Sequence, residues 1–260
     1  MNLHKQLFTE SDCYRAGRTI VPRGVMVHST GANNPNLRRY VAPNDGLLGE
    51  PSLRHWNQSG ISACVHAFIG RLVDGTVASY QVLPWTCRGW HAGGAANNTH
   101  ISFEICEDNL EDAGYFQAAY REAVELTAYL CREYGLDPLA DGVVICHSEG
   151  HQRGVASNHA DVMHWFPKFG RTMDDFRADV AREWKGEDTV TQEQFNTMME
   201  TYLRQLAEQG PNSWSQAART WAESRGIISG DGSGNLAYQK FCSREELVQV
   251  LYTLDRTKAD

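Results

Sequence analysis

The chain has 260 residues, enough for one sizeable core and a second, smaller unit at the usual size of about 100 to 200 residues per domain. Its formal net charge of -8 disfavours nucleic acid as a partner, because nucleic-acid-binding proteins carry clusters of Lys and Arg. Its seven cysteines are odd in number and lie mostly in apolar runs, which is typical of free thiols in a reducing compartment.

The N-terminal stretch has no apolar segment of the kind that marks a signal peptide. No apolar run approaches the roughly 20 residues that span a bilayer. We therefore expect synthesis as a soluble cytoplasmic protein without a membrane partner.

Residues 24 to 184 alternate β-rich and helical segments. The candidate strands are rich in Val, Ile and Phe and cover residues 25–28, 63–70, 76–81, 101–107 and 143–147. A long helical pattern begins near Phe116 and closes at Gly135, and another runs from Thr172 to Trp184. This succession predicts an α/β fold with a mixed central sheet flanked by helices.

The pattern changes at residues 185–190, a charged stretch with a glycine that predicts a linker. Helical patterns then cover residues 191–209, 214–225 and 243–254, with a glycine-rich loop over 226–232. Ser243 and Glu246 are spaced as a capping box at the start of the last helix. We predict a first domain over residues 1–184 and a small all-α domain over residues 191–260.

Two of the apolar runs end on a histidine, His28 and His147, and Asp161 lies a short loop beyond the second. A lone histidine at a strand end is more often a structural residue that makes hydrogen bonds. Neighbouring strands could, however, bring both rings to one edge of a sheet. Two imidazoles and a carboxylate are a usual ligand set for a catalytic zinc with one open position, so the combination points to a metal-dependent hydrolase.

Glu104 lies in the alternating run Ile101-Ser102-Phe103-Glu104-Ile105. The apolar residues of this run would face the core, and Glu104 would point to the opposite side of the sheet. One interpretation is a carboxylate that faces solvent. The other is a general base beside the metal, which requires hydrogen-bond reach of the attacking water.

Three stretches together resemble the type 2 N-acetylmuramoyl-L-alanine amidase family, which includes phage lysins and is related to peptidoglycan recognition proteins. They are Val-Met-Val-His-Ser-Thr at 25–30, the segment from Gly-Trp-His-Ala-Gly at 89–93 to Ile-Ser-Phe-Glu-Ile-Cys at 101–106, and His147 followed by His-Ala-Asp at 159–161. The resemblance spans most of residues 20 to 180.

The resemblance implies a zinc ion held in an open groove by His28, His147 and Asp161, with Glu104 as the proton carrier. His159 stands where many relatives carry a lysine, and would stabilise the oxyanion only when protonated or when donating from one ring nitrogen. His164 ranks second both as a ligand and as the oxyanion donor. The tyrosine that some relatives place on an earlier strand has no counterpart near Ala63 to Ala67.

Three further residues are candidates for holding the substrate. His66 alternates with Cys64 and Phe68 on one strand face, where it is either a contact to the substrate or a partly buried structural histidine. Trp90 and His91 lie in a glycine-rich loop, which suits a groove wall, although the same loop could simply cover the core.

The segments 215–222, 226–230 and 243–247 resemble a single S-layer homology motif. Such modules bind cell-wall polymers in other proteins, usually as three copies. The alternative is a helical hairpin that buries Trp214, Trp221 and Leu251 against a second copy of the chain.

Taken with the family resemblance, these features predict a zinc-dependent peptidoglycan hydrolase that cleaves the amide between N-acetylmuramic acid and L-alanine at the cell wall, as a phage or prophage endolysin. The competing interpretations are a peptidoglycan-binding protein without activity and a zinc peptidase that cuts within the stem peptide.

Overall fold

The structure, a computed structural model, describes residues 1–186, 192–228, 230 and 235–256. The chain divides into two compact units, residues 1–188 and 189–260. All seven cysteines are free thiols, and six of them are buried. Among the helices of the described ranges, none is long and apolar enough to cross a membrane.

The first unit is built on a six-stranded sheet. Its strands are β1 (Leu3–Lys5), β2 (Gly24–Ser29), β3 (Ala67–Arg71), β4 (Val77–Gln81), β5 (His100–Ile105) and β6 (Val144–Cys146). Their order across the sheet is β1-β4-β3-β5-β2-β6. Only β3 and β4 pair antiparallel, and the other neighbours are parallel. The predicted mixed sheet is therefore confirmed.

Four helices accompany this sheet. They are α1 (Asp12–Arg15), α2 (Ala113–Tyr134), α3 (His147–Gln152) and α4 (Met173–Lys185). The long helix α2 ends where Gly135 adopts a left-handed conformation, with φ +63°, and α4 begins at a capping box formed by Thr172 and Asp175. Both ends match the boundaries that the sequence predicts to within a few residues.

Alternation along the strands divides the sheet into two faces. Val25, Val27 and Phe103 point to one face, where they form the main core with residues of α2 and α4. His28 and Glu104 alternate with these residues and therefore point to the other face. Helices α2 and α4 thus cover one side of the sheet, and the candidate site lies on the opposite side.

The described residues of the second unit form three α-helices, α5 (Gln192–Glu208), α6 (Gln216–Ser224) and α7 (Arg244–Arg256). Ser243 and Glu246 form the predicted capping box, since Glu246 N donates to Ser243 Oγ at 3.0 Å and Ser243 N donates to Glu246 Oε2 at 2.7 Å. Most of the predicted linker, and part of the predicted glycine-rich loop, lie outside the described residues.

Candidate metal centre

The sheet brings His28 and His147 side by side. His28 is the fifth residue of β2, and His147 follows directly after β6 as the first residue of α3. The strands β2 and β6 are parallel neighbours, with Val27 opposite Cys146. The residues that follow this pair, His28 and His147, therefore lie at the same edge of the sheet. Both histidines are buried, with 1% and 4% of their surface exposed.

Asp161 completes a cluster with these two histidines. The two Nδ1 atoms are 3.1 Å apart, and Asp161 Oδ2 lies 3.0 Å from His147 Nδ1 and 3.7 Å from His28 Nδ1. Zinc ligands at about 2.0 to 2.2 Å in a tetrahedral arrangement are about 3.3 Å from one another. Asp161 Oδ2 is also buried without a hydrogen-bond partner in the part of the chain that the structure describes. The three donor atoms therefore fit a single zinc ion.

Hydrogen bonds on the far side of each ring fix which nitrogen faces this point. His28 Nε2 is 3.0 Å from His91 Nδ1, and His147 Nε2 is 3.1 Å from Ser157 Oγ. With Nδ1 used for the metal, each Nε2 carries the proton and donates it. The loop that carries His91 is held in turn by Asn97 Oδ1, which accepts from the backbone N–H groups of His91 and Ala92 at 2.9 and 2.8 Å.

The ionisation of the cluster also suits a cation. Burial lowers the pKa of His28, which favours the neutral ring that binds metal. Burial alone would raise the pKa of Asp161, but its contacts with His147 and His28 outweigh this effect and hold the pKa below its usual range. The site therefore offers two imidazoles and a carboxylate anion.

Glu104 lies directly beside this cluster. It is opposite His28 in the parallel register of β5 and β2, so the two side chains share a sheet face. Its Oε2 is buried and has no hydrogen-bond partner among the described residues. Burial, followed by the nearby charges of Asp161 and Glu107, raises the pKa of Glu104 well above its usual value. A bound dication would act in the opposite direction, which leaves a carboxylate able to accept a proton.

His159 is exposed and lies near the cluster, with its ring centroid 4.6 Å from that of His147. Its Nδ1 is 3.1 Å from Ser157 Oγ, whose only proton is within reach of the Ala92 carbonyl at 3.2 Å. If Ser157 donates to that carbonyl, His159 Nδ1 must be the donor to Ser157. Nε2 of His159 can then donate to an oxyanion only when the ring carries both protons.

Two further candidate histidines, His164 and His66, lie outside the cluster of His28, His147 and Asp161. His164 Nε2 contacts Glu107 Oε2 at 3.0 Å. His66 is fully buried; its Nδ1 accepts from Ser102 N at 3.0 Å, and its Nε2 donates to the Cys87 carbonyl at 2.7 Å. No ring nitrogen of His66 is left for a substrate, which favours the structural interpretation of this residue.

Trp90 and His91 occupy the loop beside the cluster. Trp90 is partly exposed and exchanges backbone hydrogen bonds with Cys64 at 2.9 and 3.1 Å. His91 supports the ring of His28 through its Nδ1, a role that its position in the sequence does not indicate. The sequence did not single out Ser157, Asn97 or Glu107 either, because their side-chain contacts leave no periodic pattern along the chain.

Comparison with known proteins gives the following matches. The family model of N-acetylmuramoyl-L-alanine amidase matches residues 17–167, more than half of the chain. The Staphylococcus aureus hydrolase AmiA, solved in complex with its ligand, is 18% identical, with 74% of this chain and 85% of that chain covered and a TM-score of 0.48. The catalytic domain of XlyA is 22% identical, with 69% of this chain and 99% of that chain covered and a TM-score of 0.49. A mutant endolysin from Bacillus subtilis is 21% identical, with 69% of this chain and 99% of that chain covered and a TM-score of 0.47. No curated protein matches the chain.

A mixed sheet that directs two histidines and an aspartate at one point defines a zinc-dependent hydrolase. Within this class, the chain belongs to the N-acetylmuramoyl-L-alanine amidase family, and His28, His147 and Asp161 form its zinc site. Membership implies peptidoglycan as the substrate and the cell wall as the place of action. The resemblance of the C-terminal residues to an S-layer motif receives no support from these matches and stays a prediction.

Proposed function

We propose that the protein hydrolyses the amide bond between N-acetylmuramic acid and the L-alanine of the stem peptide, as a phage or prophage endolysin. The observation that carries the proposal is the convergence of His28, His147 and Asp161 on one point, with Glu104 on the neighbouring strand. Family membership supports the choice of substrate.

Each residue of the site has a task in this reaction. His28, His147 and Asp161 would hold a zinc ion, which would supply Lewis acidity for the amide carbonyl and would lower the pKa of a water molecule. Glu104 accepts the proton of the attacking water and passes it to the leaving amine. His159, when doubly protonated, donates from Nε2 to the oxyanion of the tetrahedral state. Trp90 forms part of the groove wall, His91 accepts a hydrogen bond from the ring of His28, and His66 is a buried structural residue.

The deciding experiment is mass spectrometry of the fragments released when the purified protein digests peptidoglycan, with and without a chelator. We expect intact stem peptides with a free N-terminal alanine, and no release when the metal is removed. Cleavage between two amino acids of the stem would favour the peptidase instead. Binding to peptidoglycan without release would favour the non-catalytic binding protein.

For the second unit we propose association with a second copy of the chain. Among the residues of this unit whose burial the structure describes, ten large apolar ones are exposed: Phe195, Met198, Tyr202, Trp214, Trp221, Phe241, Leu247, Val248, Leu251 and Tyr252. Their exposed surface, at roughly 100 Å² per side chain, is comparable in total with the roughly 800 Å² that each partner contributes to a standard interface. Aliphatic side chains such as Leu247 and Leu251 suit an apolar partner better than a hydrated wall polymer.

A further inference from the structure

A buried carboxylate that the proposed reaction does not use lies two residues after the end of β5. Glu107 has only 3% of its surface exposed. An unpaired carboxylate would be costly at this depth, so its partners indicate what it does. Oε1 accepts from Gly31 N at 3.1 Å, and Oε2 contacts His164 Nε2 at 3.0 Å. The backbone N of Glu107 also donates to Thr30 Oγ1 at 3.1 Å.

These contacts join three segments that carry residues of the site. Thr30 and Gly31 follow the end of β2, which carries His28. Glu107 follows β5, which carries Glu104. His164 ends the short 3-10 helix Asp161–His164, whose first residue is the third ligand.

Asp161 needs external restraint because its backbone has a φ of +47°, in the left-handed region that disfavours residues with a side chain. Such conformations persist only where the surrounding structure holds them. Two anchors of this turn are apolar, since Val162 and Trp165 are buried in the core. Ser29 N adds only a long contact to Asp161 Oδ1, at 3.4 Å. Apart from the contacts of Asp161 itself with Ser29, His28 and His147, the turn makes a polar contact with the end of β5 through His164 and Glu107.

We propose that Glu107 and His164 are positioning residues, which hold the turn of Asp161 against the ends of β2 and β5 and so set the third ligand of the metal site. Neither residue touches the metal or the substrate in this role. The inference rests on the metal site and is independent of which bond the enzyme cleaves.

Zinc affinity tests this role, measured by competition with a chromophoric chelator. The main variant is His164→Ala, with Met163→Ala as its matched control, because both residues lie on the same turn and both are exposed. We expect zinc binding to weaken about 10- to 100-fold in His164→Ala. The control should stay within about two-fold of the unsubstituted protein.

A second pair of variants tests the other end of the contact. Glu107→Gln is compared with Glu122→Gln, since Glu122 is also buried and accepts from a backbone N–H and a hydroxyl, those of Asn2 and Ser79. We expect weaker zinc binding only in Glu107→Gln. The double variant Glu107→Gln with His164→Ala should bind zinc no more weakly than either single variant, because both changes remove the same contact between Glu107 and His164.

Thermal unfolding of the zinc-free proteins separates positioning from general stability. If His164→Ala also unfolds at a lower temperature, His164→Gln decides the question, because glutamine keeps a donor for Glu107. Zinc affinity that recovers in His164→Gln supports the proposal, and zinc affinity that stays low overturns it. Equal zinc affinities in His164→Ala and Met163→Ala would also overturn it. Since no amidase assay is involved, these outcomes are independent of the proposed cleavage.

Discussion

Glu104 is the residue whose substitution should separate proton transfer from metal binding. It lies opposite His28 but outside the ligand cluster. We expect Glu104→Gln to lower the rate of stem-peptide release by about 10²- to 10⁴-fold, the usual contribution of a general base. Bound zinc, measured by elemental analysis, should stay near one ion per chain.

Glu133→Gln, on the exposed surface of α2, is the control for this change and should leave both values unaltered. Loss of zinc together with activity in Glu104→Gln would assign Glu104 a structural role instead.

His66 should make the folded protein sensitive to acid. Burial lowers the pKa of His66 from 6.5 to about 4. Between about pH 6.5 and pH 4, His66 is protonated in the unfolded chain but stays neutral in the folded protein. The free energy of unfolding therefore falls as the pH falls through this range. The full effect is of the order of 3 kcal/mol.

The measurement is the denaturant midpoint at pH 7 and pH 5, with chelator present, for the unsubstituted protein and His66→Gln. Glutamine should lower stability at both values because it fits the two hydrogen bonds less well, but the loss between pH 7 and pH 5 should shrink. An equal loss in both proteins would show that His66 is not the group responsible.

At the scale of elements, alternation and capping predicted most of the fold. The run from Ile101 to Ile105 lies in β5 with the expected faces, and Thr172 begins α4. The predicted strand over 63–70 is shorter, because Cys64 pairs with Trp90 of a loop and β3 begins only at Ala67. Short elements such as β1, α1 and α3 span too few residues to produce a recognisable period.

The apolar run that ends at His147 does not indicate where strand β6 ends and helix α3 begins. The sequence predicts that His147 ends a strand, whereas it is the first residue of a helix. Its neighbour Cys146 is the N-cap, and Glu149 Oε2 accepts from Cys146 N at 3.1 Å. The change matters for the site, because the start of the helix turns the His147 ring towards His28.

For the whole molecule, we predict that the first unit is active by itself. Removing the chain from Glu187 onward leaves the complete sheet, its helices and the metal ligands. We expect a folded, zinc-binding protein that retains activity on soluble muropeptides. Light scattering should find a dimer for the full chain and a monomer for the truncated one.

An unfolded or insoluble product would contradict the division into two domains. A monomeric full chain that loses binding to intact walls on truncation would favour the wall polymer as the partner of the second unit.

The sequence by itself determined the mixed sheet, the long helices and the three metal ligands, because regular periodicity and the family motifs are local patterns. Only the tertiary structure decided what supports those ligands. Two of these contacts join distant segments, that of His28 with His91 and that of Glu107 with His164 beside the turn of Asp161. The partner of His147, Ser157, lies in the loop that follows α3. Such pairings depend on strand order and register, which bring together residues that no spacing along the chain relates.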